Sequence, residues 1–397
     1  MCILVLENEP SSRRGGQERS LLDICRGLAA RGHDIELLYT VDGDLLAEYQ
    51  RFCRRVDRVA AYAVDRARTL ASVARLAADL VQRGRRAPDV IYANQYLDSL
   101  FGRLLALRFQ RPFVCHLRLP PPDIFCGQYR WGMGGAVRLM ATSNQTREDY
   151  VGRGFRRDRI DVVYNGISTG DWQPNLTRYE ARSRLGLDPT AFLVAYAGRF
   201  HPAKGLEVLI DALPLLPPHA QLVIAGREIP DGRKEIYEEQ LKEQAVVLGV
   251  AARCRWVGHV SEIAELYRAA DATVLPSVAS EAFGRAVIES MACGTPAVGS
   301  CAGGIPEILT GEFSQYLFPV RDHRALAERL NALSDWTERD PGLAARCRAH
   351  VDRYFAIAKT IDGVEASLER TVAEWQAGAR QHAAGEILKT PRSCASA

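Results

Sequence analysis

Short apolar runs separated by amphipathic helical stretches repeat along nearly the whole chain. The runs are CILVL, HDIELLYT, DVIYAN, PFVCHL, VRLMATS and RIDVVYNG in the first half, then FLVAYAGRF, QLVIAG, RWVGHV, ATVLP, TPAVGS and QYLFPV in the second. Strands that are apolar on both faces and alternate with helices are typical of a parallel sheet covered by helices. The pattern therefore predicts an α/β protein with two doubly wound, Rossmann-like domains.

The most informative stretch is PSVASEAFGRAVIESMACGTPAVGSCAGGIPE, at residues 276–307. An apolar strand ends at Pro276, and RAVIESMA then has helical spacing that the following Gly-Thr-Pro terminates. We therefore expect Glu281 to lie on the strand-to-helix loop and Glu289 about one turn inside the helix.

The predicted helix start at Gly284 exposes unpaired backbone N–H groups, which carry partial positive charge and suit a phosphate. A carboxylate on either side of that phosphate is repelled by it unless the carboxylate accepts hydrogen bonds from hydroxyl groups. A sugar nucleotide has hydroxyls on both sides of its diphosphate. We therefore expect Glu281 to hold the donor sugar and Glu289 the ribose, with Phe283 and Gly284 in the donor site between them.

A second candidate loop, AGRFHPAKG, carries Arg199 and Lys204 at the carboxyl end of a predicted strand. Open α/β sheets bind ligands at that edge. A planar guanidinium and a compact ammonium together can neutralise a diphosphate without a metal ion, so both residues are assigned catalytic and donor-binding roles. We expect no metal and no cofactor, with a nucleoside diphosphate sugar as co-substrate. The acidic pair Asp42 and Asp44 lies in a common turn sequence and is interpreted as structural.

The segment EAFGRAVIESMACGTPAV resembles the signature E-G-F-G-x-x-x-x-E-A-M-A-x-G-x-P-V of glycosyltransferase family 4, the retaining enzymes with the two-domain GT-B fold. This chain departs from the signature at Ala282, where glycine is usual, and at Arg285, where an aliphatic residue is common. We expect Ala282 to narrow the loop and Arg285 to add a phosphate contact. The run GRFHPAKG at residues 198–205 also resembles the family's phosphate-binding loop.

The resemblance implies a fold whose two domains face each other across a cleft. It also implies transfer of a hexose-type sugar from a UDP- or GDP-linked donor to a glycan, lipid-linked or small-molecule acceptor, with retention at the anomeric carbon. Glu281 and Glu289 flank the diphosphate and not one glycosidic bond, so they do not form the acid/nucleophile pair of a glycosidase. A front-face route, in which the leaving phosphate takes the acceptor proton, is the expected mechanism.

Three residues of the first half match positions that the family uses at its site, and a fourth candidate follows one of them. The run GGQE resembles the family's N-terminal glycine loop, so Gly15 and Gly16 are expected to face the donor diphosphate. His116 ends the strand PFVCH, where the family commonly has a histidine facing the reacting sugar, and it is assigned a catalytic role. Arg118 follows and is expected to meet an anionic group of the acceptor.

Two further segments resemble parts of the family's donor pocket. WVGHV is similar to the segment that lines the nucleobase, so Val260 is assigned to the donor site. Gly303 and Gly304 with Glu307 match G-G-x-P-E, a second turn into a helix, and are expected to shape the pocket.

The expected domain organisation follows from the resemblance and the turn signals. We place an N-terminal acceptor-binding domain at 1–172 and a C-terminal nucleotide-sugar-binding domain at 173–355, joined by a linker at 168–175. Residues 356–397 are expected to form a helix that returns to pack on the N-terminal domain, with a tail that frays after about residue 378.

Composition narrows the choice of partners. The chain has 397 residues, of which 47% are hydrophobic and 25% charged, which is ordinary for a two-domain soluble protein. A net charge of +3 gives no reason to expect nucleic acid, whereas the arginine-rich, lysine-free first half leaves peripheral contact with an anionic membrane open.

The ten cysteines show no C-x-x-C spacing and no apolar run reaches membrane-spanning length, so a cytoplasmic protein is expected. The oligomeric state is not predicted.

Two other functions stay open on the same sequence. A sugar-nucleotide 2-epimerase would share the nucleotide site but would need acid/base carboxylates in the N-terminal half, where the sequence singles out none. A non-catalytic sugar-nucleotide-binding protein would hold the donor without transferring it, and it would not need Arg199, Lys204, Glu281 and Glu289 together.

Overall fold

A parallel sheet of seven strands forms the N-terminal half of the structure, a computed structural model that describes residues 1–65, 69–82, 87–173, 175–228 and 236–387. The strands are β1 Cys2–Glu7, β2 Asp34–Tyr39, β3 Arg55–Arg58, β4 Val90–Ala93, β5 Phe113–Leu117, β6 Arg138–Ala141 and β7 Ile160–Val162. The helices are α1 Gly16–Ala30, α2 Leu46–Tyr49, α3 Thr69–Gln82, α4 Ser99–Phe109, α5 Gly127–Gly134 and α6 Asn144–Gly152. The strand order is β3-β2-β1-β4-β5-β6-β7, the doubly wound order of dinucleotide-binding folds.

A second parallel sheet, of six strands, forms the C-terminal half. Its strands are β8 Phe192–Ala197, β9 Ala220–Ala225, β10 Cys254–Gly258, β11 Ala272–Leu275, β12 Ala297–Ser300 and β13 Leu317–Phe318. The helices are α7 Arg178–Arg184, α8 Leu206–Ala212, α9 Tyr237–Val247, α10 Ile263–Ala269, α11 Arg285–Ala292, α12 Ile305–Ile308, α13 His323–Asn331, α14 Trp336–Arg339, α15 Leu343–Phe355 and α16 Ile357–Ile387. The order β10-β9-β8-β11-β12-β13 repeats that of the first sheet, which confirms the predicted fold class.

Three details differ from the sequence-based expectation. The edge strand β3 was not predicted, because its four residues RVDR alternate charged side chains with only one apolar position. The sequence over 338–355 predicts one helix, but the structure interrupts it, since α14 ends at Arg339 and α15 begins at Leu343 after a Pro-Gly pair. The last helix does not fray at 378 but continues to Ile387, and the remainder of the expected tail, 388–397, lies outside the described residues.

The chain crosses between the two sheets twice, and the two crossings are hydrogen-bonded to each other. The backbone N–H of Ile167 donates to the Phe355 carbonyl at 2.9 Å, and the N–H of Ile357 donates to the Ile167 carbonyl at 2.9 Å. The rings of Tyr164 and Phe283 pack on Phe355 at centroid distances of 6.0 and 5.7 Å. The crossing is therefore a short pair of strands beside an aromatic cluster that joins residues of both domains.

Helix α16 returns to the N-terminal sheet and packs there through one apolar face. Ile361, Val364 and Leu368 are buried in the same cluster as residues of β1 and α1. Although α16 is 31 residues long, none of the helices in the described part of the chain has an apolar stretch that could cross a bilayer.

Contacts between the domains also close one end of the space between the sheets. The carbonyl of Ala282 accepts hydrogen bonds from the hydroxyls of Thr142, Ser143 and Thr146 at 2.8 to 3.1 Å. The Glu307 carboxylate accepts from the first backbone N–H groups of α6, at 2.7 and 2.9 Å. A carboxylate from one domain thus caps a helix of the other, where the helix dipole favours negative charge.

We predict that Asp161→Asn loosens α16 and lowers the midpoint of thermal unfolding. Asp161 accepts hydrogen bonds from Arg138 on β6 and from Ser367 and Arg370 on α16 at 2.6 to 2.8 Å. Breaking a largely buried charged network of this kind lowers the free energy of unfolding by about 2 kcal/mol. The matched control is Asp158→Asn, because the Asp158 carboxylate is exposed and its one ion pair among the described residues is with Arg156. Equal melting midpoints for the two variants at pH 7 would contradict the prediction.

Candidate active site

The two sheets face each other across a cavity of about 1090 Å³. Loops that follow the carboxyl ends of strands in both sheets line it, which is the edge where doubly wound domains bind ligands. The volume exceeds what one small ligand needs, so it can hold a nucleotide sugar together with an acceptor.

Glu281 lies on the loop between β11 and α11, as predicted, and its carboxylate faces the cavity as part of an ion pair. Its Oε2 accepts from Lys204 Nζ at 2.5 Å and from Ser277 Oγ at 3.1 Å. Burial raises the pKa of Glu281, but Lys204, Ser277 and then Arg199 outweigh burial and hold the pKa below its usual value. The carboxylate is therefore ionised near neutral pH, with its other oxygen available to accept from hydroxyl groups.

The loop that carries Glu281 is fixed by a close approach of two backbones. The carbonyl of Glu281 accepts from the N–H of Gly304 at 2.8 Å. Gly303 has φ +57°, and a Cβ there would lie 2.0 Å from the Glu281 carbonyl oxygen. Only glycine fits such a position, so Gly303 and Gly304 support the loop from behind.

Arg199 and Lys204 lie on the same side of the cavity, after the end of β8. Arg199 is exposed and its side chain has no ion pair within the described residues, whereas Lys204 is half-buried against Glu281. Helix α11 begins beside them at Gly284, whose φ of +106° is unfavourable for any other residue. Two cations and a helix N-terminus therefore converge on one part of the cavity, an arrangement suited to a diphosphate.

Glu289 lies one turn into α11, as predicted, and forms part of a polar chain across the cleft. Its Oε1 accepts from Arg285 Nε at 2.6 Å, and its Oε2 accepts from the hydroxyl of Tyr267 at 3.3 Å. Arg285 Nη2 in turn reaches Asp23 on α1 at 3.4 Å, while its Nη1 is buried without a partner. The expected phosphate contact of Arg285 is thus replaced, for most of the guanidinium, by contacts with two carboxylates.

The glycine loop comes to the same cavity from the opposite domain. Gly15 and Gly16 line it, and a Cβ on Gly16 would lie 2.8 Å from Arg285 Cδ. The loop is held by Asp44, whose carboxylate accepts from the backbone N–H of Ser12 at 2.9 Å and from the Ser11 hydroxyl at 2.8 Å. Asp44 therefore has the structural position that its turn sequence indicated.

The structure does not bring His116 to the cavity, contrary to its expected contact with the reacting sugar. The residue is fully buried in β5, its Nδ1 lies 2.7 Å from the Tyr92 hydroxyl and its Nε2 has no partner. Burial and then Arg118 lower its pKa well below the usual value. His116 is a neutral interior residue because its side chain lies on the inner part of the strand, two residues before the cavity wall.

Arg118 does line the cavity, but its guanidinium is mostly used inside the domain. It donates to Asn94 Oδ1 at 2.5 Å, to Ser20 Oγ and Asn165 Oδ1 at 2.9 Å each, and to the Tyr92 hydroxyl at 3.4 Å. These four hydrogen bonds to neutral groups leave one of its five N–H groups free. Arg118 therefore has no free pair of N–H groups for the bidentate contact with an anionic acceptor group that was expected.

The last two predicted donor residues differ in how they meet the cavity. Val260 follows β10 and lines the cavity on the C-terminal side. Phe283 also lines it, but only 2% of the residue is exposed, and its ring packs in the aromatic cluster of the crossing. Phe283 therefore positions the loop, and only its edge and backbone can meet a ligand.

Three polar residues of the N-terminal wall were missed by the sequence analysis. Gln17, Glu18 and Asp98 line the cavity, and each has a buried oxygen without a hydrogen-bond partner. Burial raises the pKa of Glu18 and raises that of Asp98 strongly. A signal existed for Glu18, because it precedes Leu21 and Leu22 by three and four residues and so shares the buried face of α1.

Two doubly wound domains with a cation-lined cleft between their sheet edges form an arrangement that can bind a nucleotide sugar, and the comparisons with known proteins identify a family of sugar-transferring enzymes. Residues 14–171 match the family described as Glycosyltransferase Family 4, and residues 177–348 match Glycosyl transferases group 1. The chain belongs to glycosyltransferase family 4.

Curated relatives and solved structures give the same family and fold. D-inositol 3-phosphate glycosyltransferase of Mycolicibacterium smegmatis is 31% identical over 306 residues, which are 73% of this chain and 69% of the relative. The same-named protein of Mycolicibacterium gilvum is 34% identical, over 73% of this chain and 67% of its own. Anabaena Alr3699/HepE in complex with UDP-glucose is 26% identical, with a TM-score of 0.80 over 93% of this chain and 100% of that one. Sucrose-phosphate synthase from Thermosynechococcus elongatus, 21% identical with a TM-score of 0.77 over 94% of this chain and 100% of that chain, shares the fold.

We predict that Lys204→Ala lowers turnover about a hundredfold while the protein stays folded at the assay temperature. The substitution removes one preorganised cation from the cavity, and such a donor contributes about 3 kcal/mol to the transition state. Turnover is measured as release of nucleoside diphosphate. The matched control is Lys242→Ala, since Lys242 is half-exposed and pairs with Glu238 one turn away. Near-normal turnover of Lys204→Ala would contradict the role assigned to this cation.

We also predict that Gly16→Ala impairs turnover without destabilising the fold. The new methyl group suits helix α1, but Arg285 must move to admit it, and Glu289 and Asp23 hold that guanidinium. If the N-terminal wall at α1 and the C-terminal wall at Arg285 move apart by a fraction of an ångström, the rate falls about tenfold or more. The control is Gly152→Ala on α6, where a Cβ meets nothing within 4 Å. Wild-type kinetics for Gly16→Ala would show that the walls need not approach this closely.

Proposed function

We propose that this protein transfers a hexose-type sugar from a UDP- or GDP-linked donor to an acceptor hydroxyl, with retention and without a metal ion. The observation that carries the proposal is the Glu281 carboxylate, fixed by Lys204 and Ser277 beside the start of α11 and within the field of Arg199. One part of the cavity thus contains a carboxylate that can accept hydrogen bonds from sugar hydroxyls, next to cations and backbone N–H groups that can bind a diphosphate. The UDP-glucose bound by the 26% identical Anabaena protein supports a UDP-hexose as the donor.

Each donor role has a residue in place. Lys204, Arg199 and the N-terminus of α11 stabilise the diphosphate, and Glu281 accepts hydrogen bonds from the sugar hydroxyls. Glu289 lies on the far side of Gly284 and accepts from the ribose. The positive charge is preorganised by protein groups, so a metal ion is not needed to stabilise the leaving group.

The transfer follows from this placement. The bond between the anomeric carbon and the phosphate oxygen breaks, and the acceptor oxygen bonds to that carbon on the same face. The acceptor proton passes to the departing phosphate oxygen, which is the base nearest to the attacking hydroxyl. Arg199 and Lys204 stabilise the negative charge that develops on the diphosphate as it leaves.

One observation favours the 2-epimerase as a second candidate. Glu18 and Asp98 are buried carboxyl groups on the N-terminal wall, which is where that reaction would need an acid and a base. The two functions differ in a simple assay: an epimerase isomerises the donor sugar with no acceptor present, whereas a transferase requires the acceptor. A non-catalytic binding protein would do neither.

The test is transfer by the purified protein from UDP-glucose, UDP-galactose, UDP-N-acetylglucosamine and GDP-mannose, with a mixture of free sugars and cyclitols as acceptors. We expect a product whose anomeric configuration, read by NMR, equals that of the donor, and an unchanged rate in excess EDTA. Glu281→Gln should lose about a hundredfold in rate while keeping its affinity for the free nucleotide. An inverted product, loss of activity in EDTA or isomerised donor without acceptor would each refute part of the proposal.

A further inference from the structure

The N-terminal wall of the cavity contains polar atoms that the donor roles leave unused. Gln17 Oε1, Glu18 Oε2 and Asp98 Oδ2 are buried without a hydrogen-bond partner, and all three residues line the cavity. Glu18 and Asp98 are only 2% and 1% exposed. A buried polar atom without a partner costs about 1–3 kcal/mol, so this wall is built for a ligand that supplies hydrogen bonds.

This wall lies next to the predicted reaction centre. Arg199 is close enough across the cavity to act on the charge of Glu18. A Cβ added to Gly15 of the glycine loop would lie 3.7 Å from Glu18 Oε2. A ligand that reaches Glu18 therefore also reaches the diphosphate end of the donor, where the acceptor must present its attacking hydroxyl.

The chemistry of the wall suits hydroxyl groups. Gln17 Nε2 donates to the other carboxyl oxygen of Glu18 at 2.8 Å, which leaves Oε2 for the ligand. Burial raises the pKa of both Glu18 and Asp98, which favours the protonated form relative to an exposed carboxyl group. A neutral carboxyl group both donates and accepts a hydrogen bond, as a hydroxyl does. The ring of Tyr129 lines the same wall near Asp98 and offers an apolar face.

The same wall offers little to an anion. The buried cation Arg118 makes four hydrogen bonds to neutral oxygen atoms. The other N-terminal cations that line the cavity are exposed, namely Arg13, Arg14, Arg19 and Arg58. Arg14 and Arg58 are ion-paired with Glu9 and Asp42. Among the described residues, Arg118 is thus the only buried cation of this wall, and the cations that act on Glu18, Arg14 and Arg199, are both exposed.

We propose that the acceptor end carrying the attacking hydroxyl is an uncharged polyol, a sugar ring or a cyclitol, which Glu18 and Asp98 bind through its hydroxyls. A phosphate or carboxylate next to the attacking hydroxyl is excluded. The inference rests on the proposed transfer reaction and specifies its acceptor.

The experiment compares matched acceptors with UDP-glucose as the saturating donor. myo-Inositol is set against inositol 3-phosphate, and methyl glucoside against methyl glucuronide, with product formation as the readout. We expect transfer to the uncharged member of at least one pair, with kcat/KM at least tenfold above that of its anionic partner.

Four variants then test the two residues. Glu18→Ala and Asp98→Ala should raise the acceptor KM about tenfold or more, whereas Glu18→Gln and Asp98→Asn, whose amides still donate and accept, should stay within about threefold of wild type. Each variant is first shown to be folded by its melting midpoint and its affinity for UDP. The matched control is Glu48→Ala, because Glu48 is outside the cavity and pairs with Arg26.

The outcomes separate this inference from the proposed function. If the wild-type protein neither binds nor consumes any nucleotide sugar, the proposed function falls and the inference with it. If transfer occurs but the anionic acceptors are preferred, or the alanine variants keep the wild-type acceptor KM, only the inference is overturned. It is also overturned if the Gln and Asn variants raise the acceptor KM as much as the Ala variants do, because the amides keep the hydrogen-bonding groups on which the proposal relies.

Discussion

The site depends on one backbone constraint, the pairing of the two chain crossings between the domains. Ile167 is hydrogen-bonded to Phe355 and Ile357, and the aromatic cluster of Tyr164, Phe283 and Phe355 packs beside it. Because the crossings are fixed side by side, the carboxyl edges of both sheets face the same space. Phe283 belongs to the Glu281–Glu289 loop, so the crossing and the donor loop are held by the same packing.

The wall formed by the C-terminal domain and the wall formed by the N-terminal domain differ in charge, and under the proposed function they bind different substrates. The C-terminal wall carries Arg199, Lys204 and the start of α11, and the only carboxylate in contact with these cations, among the described residues, is the ion-paired Glu281. The N-terminal wall carries two buried carboxyl groups, Glu18 and Asp98, whose pKa values burial raises. Under the proposed function, this charge pattern places the diphosphate at the first wall and the hydroxyl groups of the acceptor at the second.

Much of the donor side could be predicted from local sequence, whereas the acceptor side could not. A strand, a glycine turn and a helix follow each other within about twenty residues around Glu281, so local rules place the carboxylates and the helix terminus correctly. The N-terminal wall combines α1, the loop after β4 and the end of β5, which are far apart in the chain. His116 and Arg118 illustrate the difference: both end the same strand, but only the packing around β5 decides that one is interior and the other reaches the cavity.

By itself, the sequence determined the two doubly wound domains, the six strands of the second sheet and the loop positions of Glu281, Glu289, Arg199 and Lys204, because hydrophobic periodicity and glycine turns act over short distances. Only the tertiary structure decided what each side chain contacts. It engages most of Arg285 and Arg118 in internal hydrogen bonds and buries His116, and it leaves oxygens of Glu18 and Asp98 without partners. The physical reason is that burial and hydrogen-bond partners come from segments distant in sequence, and these set both the charge of a group and its availability to a ligand.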